Sequence, residues 1–260
     1  MYAIILSRRD WREYDQIISA YTKERGKIEL LARGVKKITS KNAAHLEPFS
    51  FVEVEVAKGK EIDHLTTVVP RDFFSGIRVD LEKSAMAGAA VSLTDRLVEV
   101  GVTDTRVFAT LLSWLRFVEA VHVAGTCLLD GYVVVLLECL GFTPILDRCV
   151  ICFRSFQEIV GRQLEYQPSS VKSKIPGLYF AGGGLICGEC RGKKSDIGEQ
   201  IVDCRLQEAS VLELLLRGDW WRNNEFPLTG EEEKKLHALV YNFVLYHTER
   251  KMGDWNKFLP

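Results

Sequence analysis

Cys149-Val150-Ile151-Cys152 and Cys187-Gly188-Glu189-Cys190 are the stretch around which this chain is organised. A two-residue spacer lets both sulfurs of one tight turn face one ion. Four thiolates complete a tetrahedral shell around a borderline d¹⁰ cation and leave no open position. Two such pairs predict a closed, structural Zn²⁺ site with Cys149, Cys152, Cys187 and Cys190 as ligands. Gly188 is expected to supply the backbone freedom of the second turn. The linker between the pairs exceeds the usual roughly 15–20 residues. It is rich in turn formers, Pro168-Ser169-Ser170, Pro176-Gly177 and Gly182-Gly183-Gly184, so it can fold back. A thioredoxin-type redox motif would open a helix directly after a strand, and neither pair is read in that context. A catalytic zinc would keep one position for water.

Outward from this stretch, composition sets the frame. The chain has 260 residues, enough for one large or two modest domains. Its longest apolar run, Tyr132 to Leu137, is far short of the roughly 20 residues that span a bilayer. Basic residues follow the first apolar run instead of preceding it, so no signal peptide is expected. Three further cysteines, Cys127, Cys139 and Cys204, fall in apolar or helical surroundings and read as reduced thiols. A cytoplasmic protein without a membrane segment is the expectation.

Net charge is −1, yet it is unevenly placed: Met1 to Lys41 holds ten Lys/Arg against five Asp/Glu, a local +5 that leaves −6 for the rest. Such asymmetry suggests an anion-binding face near one end, the alternative being an ordinary solvated surface. The cations are Arg8, Arg9, Arg12, Lys23, Arg25, Lys27, Arg33, Lys36, Lys37 and Lys41, interleaved with Trp11, Tyr14 and Tyr21. Cations beside aromatics suit a phosphate backbone with bases stacked on rings. Trp11 and Tyr21, taken singly, read as barrel core before stacking platforms.

Five short strands are predicted in the first 70 residues: Tyr2 to Leu6, Asp15 to Tyr21, Lys27 to Ala32, Phe49 to Val56 and Glu61 to Val69, the last stopped by Pro70. The fourth alternates, with Val52, Val54 and Val56 on one face. Five short strands with a long basic connection suggest an OB-fold, because closure removes exposed edges. Helical periodicity follows: Leu81 to Val100 ending at Gly101, a helix capped by Thr103 or Asp104, Thr126 to Leu140, Leu206 to Leu216, and a last helix capped by Thr229 that ends near Arg250-Lys251. Leu178 to Ile186 reads as a hairpin carrying the second cysteine pair. The expected class is α+β: an N-terminal OB-fold β-barrel over 1–80, then an all-α domain over 81–260 with the four-cysteine zinc finger inserted at 149–190.

No enzyme motif is present: there is no GxxxxGK[ST], GxSxG or HExxH. His45-Leu46-Glu47 lies too far upstream to form a deaminase site with either CxxC pair, neither of which follows a Pro. His122 and His237 read as histidines on helices among apolar residues.

These residues together resemble the RecO family, bacterial mediators of recombination in DNA repair. The likeness rests on Leu6-Ser7-Arg8-Arg9-Asp10, Glu13, Asp15, Thr22, Gly26-Lys27, Gly34, Ser40, Leu46 and Pro48-Phe49. It continues in Leu140-Gly141-Phe142, Pro144, Leu146-Asp147 and the four cysteines. Phe153 is a departure, standing where a Gly is common after the first knuckle. The resemblance implies binding of single- and double-stranded DNA, strand annealing without catalysis, and a nucleoid-associated location. It also implies partnership with RecR, single-strand-binding protein and RecF in loading recombinase. The other reading left open by the residues is a zinc-containing protein-interaction scaffold without direct DNA binding.

Overall fold

The computed structural model describes residues 1–38, 40, 42–122, 125–159, 176–193, 201–204, 211–212 and 229–248. The chain divides into two compact units, one over Met1–Tyr132 and one beginning at Val133.

The first unit opens with a closed five-stranded barrel of order β1-β2-β3-β5-β4. Its strands are β1 (Tyr2–Asp10), β2 (Gln16–Thr22), β3 (Gly26–Ala32), β4 (Phe51–Ala57) and β5 (Asp63–Asp72). All pairs are antiparallel except β3 with β5. The interior is filled by alternate small and branched side chains, among them Ala3, Ile5, Ile18, Ala20, Val52, Val54 and Val68. Removing these from water is the principal stabilising contribution to the barrel. The alternation read in β4 holds for Val52 and Val54 inside and Glu55 outside. Phe51 is also buried, its ring meeting Tyr2 and, edge-on, Phe108.

Two strand ends differ from the sequence expectation. β1 continues through Ser7-Arg8-Arg9-Asp10 because a register shift between Ile5 and Ser7 lets this polar half keep pairing with β2. A bulge adds one residue and re-aims the side chains beyond it, which hides the continuation from period-2 reading. β5 runs through Pro70, which pairs with Val52 next to another register shift. Proline is tolerated at bulges and edges because no ladder N–H is needed there.

Four helices follow the barrel: α1 (Ser75–Arg78), α2 (Leu81–Leu97), α3 (Thr105–Ala120) and α4 (Thr126–Cys139). Asp80 caps α2 by accepting from the Lys83 N–H at 3.1 Å, and Asp104 caps α3 by accepting from the Arg106 N–H at 2.8 Å. Contrary to the expected extension to Val100, α2 stops at Leu97 and Val98 is extended. The Lys27 ammonium donates to the carbonyls of Asp95 and Val98, a cation closing the helix C-terminus. Gly101, at φ +84°, forms a separate turn whose N–H donates to Lys27 O. His122 is exposed beyond the end of α3 instead of lying among apolar residues on it.

Asp95 joins α2 to the barrel. Its carboxylate accepts from Ser7 Oγ and Ser19 Oγ, both at 2.6 Å, and lies 3.0 Å from Lys27 Nζ. α2 is thereby tied to Ser7 of β1, Ser19 of β2 and Lys27 of β3. Burial raises the Asp95 pKa, but the bonds from Ser19, Ser7 and Lys27, with the Lys27 charge, outweigh it and leave the value lowered. A depressed carboxylate contributes stability above its unfolded-state pKa and loses it as pH falls through the folded value. Asp95→Asn is expected to cost about 1.5 kcal/mol at neutral pH, because two charge-assisted hydrogen bonds weaken. It should also flatten the acid limb of the stability curve. Urea midpoints from pH 7 down to pH 3 check this, and superposable curves for the two proteins would refute it.

The second unit holds a small sheet of order β7-β6-β8, with β6 (Gly177–Tyr179), β7 (Gly184–Ile186) and β8 (Ile201–Asp203). The β6–β7 hairpin matches expectation. β8 was not legible, being three residues long. Among the described residues, helices α5 (Gly188–Lys193) and α6 (Gly230–Thr248) accompany the sheet. Thr229 and Glu232 form a reciprocal capping box on α6: Glu232 Oε2 accepts from the Thr229 N–H at 2.8 Å and Thr229 Oγ1 from the Glu232 N–H at 3.4 Å. His237 is buried on this helix as expected. The helix read over Leu206 to Leu216, apart from residues 211 and 212, and the pair Arg250-Lys251 lie outside the described residues. Among the described residues no helix is long and apolar enough to cross a membrane.

Candidate functional site

The four knuckle cysteines converge. Sγ of Cys149, Cys152, Cys187 and Cys190 all lie within 4.8 Å of one another. Backbone hydrogen bonding sets this geometry. Val150 N–H donates to Leu185 O at 2.8 Å, and residue 145 pairs with the hairpin through Ile145 N to Gly183 O at 2.9 Å and Leu185 N to Ile145 O at 2.7 Å. Gly184 permits this approach, since a Cβ there would stand 2.3 Å from Ile145 O. Cys187 N–H donates to Cys149 Sγ at 3.3 Å, and Cys152 Sγ lies 3.8 Å from Cys187 Sγ.

Three of the thiols differ in acidity. Burial raises the Cys149 pKa, yet N–H bonds from Cys152, Cys187 and Ile151 bring it down to about 7. Burial, with the neighbouring thiolate charge, raises Cys187 and Cys190. Four sulfurs this close repel as thiolates and stabilise a cation instead. An all-sulfur donor set of this compactness fits a soft or borderline metal ion.

Two details differ from the sequence reading. The second pair does follow a strand and open a helix, since β7 leads into Cys187 and α5. Its sulfurs nevertheless face the first pair instead of standing alone as a redox couple. Gly188 takes up ordinary helical geometry at the start of α5. The left-handed residue is Phe153, at φ +59°, just after the first knuckle.

The basic stretch is distributed by its ion pairs. Arg8 pairs with Glu47 at 2.6 Å, Arg9 with Glu29 at 3.2 Å, Arg25 with Asp63 at 2.9 Å and Lys36 with Asp10 at 2.6 Å. Lys27 is buried against α2 and is not available as a surface cation. Lys23 and Arg25 sit in the β2–β3 turn, and the β1–β2 pairing puts that turn at the end of the barrel opposite residues 11–15. Lys41 lies outside the described residues.

Arg12, Arg33 and Lys37 are different. They are exposed, without a carboxylate partner among the described residues, and line one open cleft of about 420 Å³ with Glu13, Tyr14, Asp15 and Gly34. Here the β1–β2 loop is laced to the loop after β3. Asp15 Oδ1 accepts from Gly34 N–H at 2.8 Å, and Lys36 N–H donates to Tyr14 O at 3.0 Å. Gly34, at φ +64°, makes the turn that presents Lys37. Lys37 Nζ stands 5.7 Å from the Tyr14 ring centroid. Glu13 accepts from the Tyr14 hydroxyl and raises its pKa. Tyr21 is fully buried, as read, but Trp11 is 54% exposed and Tyr14 46% exposed. The expectation of Trp11 as core is thus corrected. Lys58 and Lys60, exposed in the β4–β5 loop, lie beyond the dense basic run and carry no signal in the sequence.

In OB-folds the strand 2–3 face and the loops between strands 1–2 and 4–5 bind oligonucleotides. Here Asp95 of α2 is bonded to Ser19 and Lys27 of that face, whereas the β1–β2 and β4–β5 loops carry exposed side chains.

Comparison with known proteins agrees with the architecture. Residues 1–74 match the family model described as Recombination protein O N terminal, and residues 78–256 match Recombination protein O C terminal. A relative named DNA repair protein RecO from Desulforamulus reducens is 26% identical over 250 residues, 96% of this chain and 90% of that protein. One of the same name from Nocardioides sp. is 28% identical over 254 residues, 95% of this chain and 93% of its own length. A third, from Roseiflexus sp., reaches 33% identity over 190 residues, 73% of this chain and 61% of that protein. With a barrel in its first part, a helical region carrying the cysteine cluster in its second, and a matching family model on each, the chain belongs to the Recombination protein O family.

Proposed function

We propose that this chain is a non-catalytic DNA-binding mediator of recombinational DNA repair. It binds single- and double-stranded DNA, anneals complementary strands, and acts with RecR and RecF to load recombinase on DNA coated by single-strand-binding protein. The observation that carries this reading is the cleft between the β1–β2 loop and the loop after β3. There, three cations without carboxylate partners among the described residues stand with the exposed Tyr14 ring, and the exposed Trp11 precedes Arg12 in the same loop. Cations and stacking platforms together suit an unpaired strand, its phosphates neutralised and its bases laid on aromatic faces. Phosphate contacts position the strand without selecting a sequence.

Arg12, Arg33 and Lys37 form the centre of the proposed interface. Arg8, Arg9 and Lys36 join it by exchanging carboxylates for phosphates, and Lys23 and Arg25 offer a separate contact at the other end of the barrel. Neutralising two strands at once lowers their mutual repulsion and speeds pairing. The barrel, 1–80, carries DNA binding in this scheme; 81–260, with the finger at 149–190, carries contacts with protein partners. Cys149, Cys152, Cys187 and Cys190 would hold a structural Zn²⁺, which closes the knuckles onto the hairpin and takes no part in chemistry. A cytoplasmic location at the nucleoid follows from the proposed substrate.

Fluorescence-monitored annealing of two complementary oligonucleotides tests this. The protein is expected to accelerate pairing without ATP, as the chain has no phosphate loop. An absolute ATP requirement would argue against it. So would no acceleration, either alone or with single-strand-binding protein, and that outcome would favour the scaffold reading.

A further inference from the structure

Phe49, at φ +55°, and Phe74, at φ +52°, have left-handed backbone, and both adjoin Arg78. This region is unfavourable for a bulky residue, because Cβ crowds the following carbonyl. Both rings are buried, which offsets the backbone cost. Residues held in such conformations cluster at binding and switch positions. What they frame here is a third ring, Phe73.

The Arg78 guanidinium stands over the Phe49 ring at 4.1 Å and over the Phe73 ring at 3.9 Å. Its N–H groups donate to Phe73 O at 2.8 Å, and to Pro48 O and Ser50 Oγ, both at 2.9 Å. Three acceptors thus fix the planar cation, and the cation fixes the ring that lies on it. Phe73 is nevertheless 41% exposed.

This ring shares a rim of the barrel with the cleft. Phe49 N–H donates to Ile5 O at 2.8 Å and Ile5 N–H to Ser50 O at 3.0 Å, so the segment before β4 runs beside β1. From there β1 continues through Arg8 to Asp10 and into the loop of Trp11 and Tyr14. Cations line the way: Lys36 at Asp10, Arg8 at Glu47, then Arg78, on which Glu47 and Arg8 both act electrostatically. Two guanidinium groups therefore share the Glu47 carboxylate. Asp72, next to the ring in sequence, accepts from the Phe74 N–H at 3.0 Å. Val79 and Leu81, exposed nearby, would suit a protein contact. The guanidinium under the ring and the cations leading to it favour a polyanion that carries rings of its own.

We propose that Phe73 is a further stacking platform for a base of an unpaired DNA strand, with Arg78 as its positioning residue. The strand runs from the cleft along β1, past Arg8, to this ring. The inference rests on the DNA-binding reading above and lengthens its contact. A ring fixed in advance lowers the ordering cost of binding. Because a duplex has its bases already stacked on one another, the ring favours single strands.

The test compares the full-length chain with Phe73→Leu, Phe73→Tyr and Arg78→Lys. Each is titrated with a labelled single strand of about 16 nucleotides, the upper range for one such barrel, and with a duplex of the same length. Phe73→Leu keeps an apolar side chain and removes the ring. It is expected to bind the single strand about tenfold more weakly with an unchanged salt slope, since stacking releases no counterion. Its duplex affinity should not change, and Phe73→Tyr should bind both like wild type. Arg78→Lys keeps the charge and loses the planar face, so it should weaken the single strand alone. If Arg78→Lys leaves both affinities intact, or lowers both equally, its positioning role is overturned. If Phe73→Leu binds the single strand as wild type does, the platform is overturned while the cleft stands. Weaker binding of purified RecR by that variant would then assign the ring to a protein contact. An equal loss for single strand and duplex would also overturn the platform. If wild type binds no single strand, the DNA-binding reading itself fails, and this contact with it.

Discussion

Replacing Cys149 with serine is expected to remove the proposed zinc and unfold the finger. Purified wild type under reducing conditions should carry about one zinc per chain, and Cys149→Ser should carry close to none. Cys149 is fully buried, and its sulfur accepts the N–H of Cys187, so the substitution strikes both the metal shell and the bond joining the two knuckles. Binding free energy for structural zinc is folding free energy in segments too small to hold themselves. The β6–β7–β8 sheet has strands of only three residues. A loss of about 4 kcal/mol from the second unit corresponds to a melting midpoint lower by roughly 15 °C. Metal analysis with a thermal melt decides it, and zinc-free wild-type protein of undiminished stability would remove the structural role. Titration of wild type with a chelator should reproduce the variant's melt.

The second large effect concerns the barrel. Reversing Arg12, Arg33 and Lys37 together to glutamate should weaken single-strand binding by about 100-fold near physiological salt. The slope of log affinity against log salt should become shallower by about 2, since each phosphate contact on a single strand adds about 0.7. Trp11→Ala alone should weaken binding while leaving the salt slope intact, because stacking of about 1–3 kcal/mol per base involves no counterion release. Separate responses to charge and to ring would distinguish a backbone-and-stacking site from general electrostatic attraction. Reversing Lys36 with Lys37 should have a smaller effect than the triple change, because Lys36 is held by Asp10. Equal binding by the triple variant would place the interface elsewhere.

The convergence of the four cysteines was the most legible part of the sequence, because two CxxC spacings mark which sulfurs come together. The barrel was legible from its hydrophobic periods, although its strand ends were not. At Ser7 to Asp10 a bulge broke the alternation, and at Pro70 an irregular register accommodated a residue that usually ends strands. The basic stretch was visible as composition, but which cations are free depended on partners distant in sequence. Arg8 meets Glu47, Arg25 meets Asp63 and Lys27 meets Asp95. No local pattern predicts such pairs. Trp11 falls just beyond the lengthened β1, in the β1–β2 loop, where its ring is exposed instead of packed in the barrel. Phe153 carried a signal only in the family likeness, as an aromatic where glycine is common, and its φ of +59° explains why glycine suits that place.

The central claim is that an OB-like barrel with near-neutral overall charge uses a cleft at its β1–β2 loop to hold a single DNA strand by its phosphates. Anisotropy of a labelled single-stranded oligonucleotide, titrated with the wild-type chain at about 50 mM and about 200 mM salt, tests this most directly. The account predicts clear binding at the lower concentration and a loss of roughly tenfold or more at the higher, as expected when about three phosphates or more are neutralised. Absence of binding at low salt, or an affinity that does not change with salt, would contradict it.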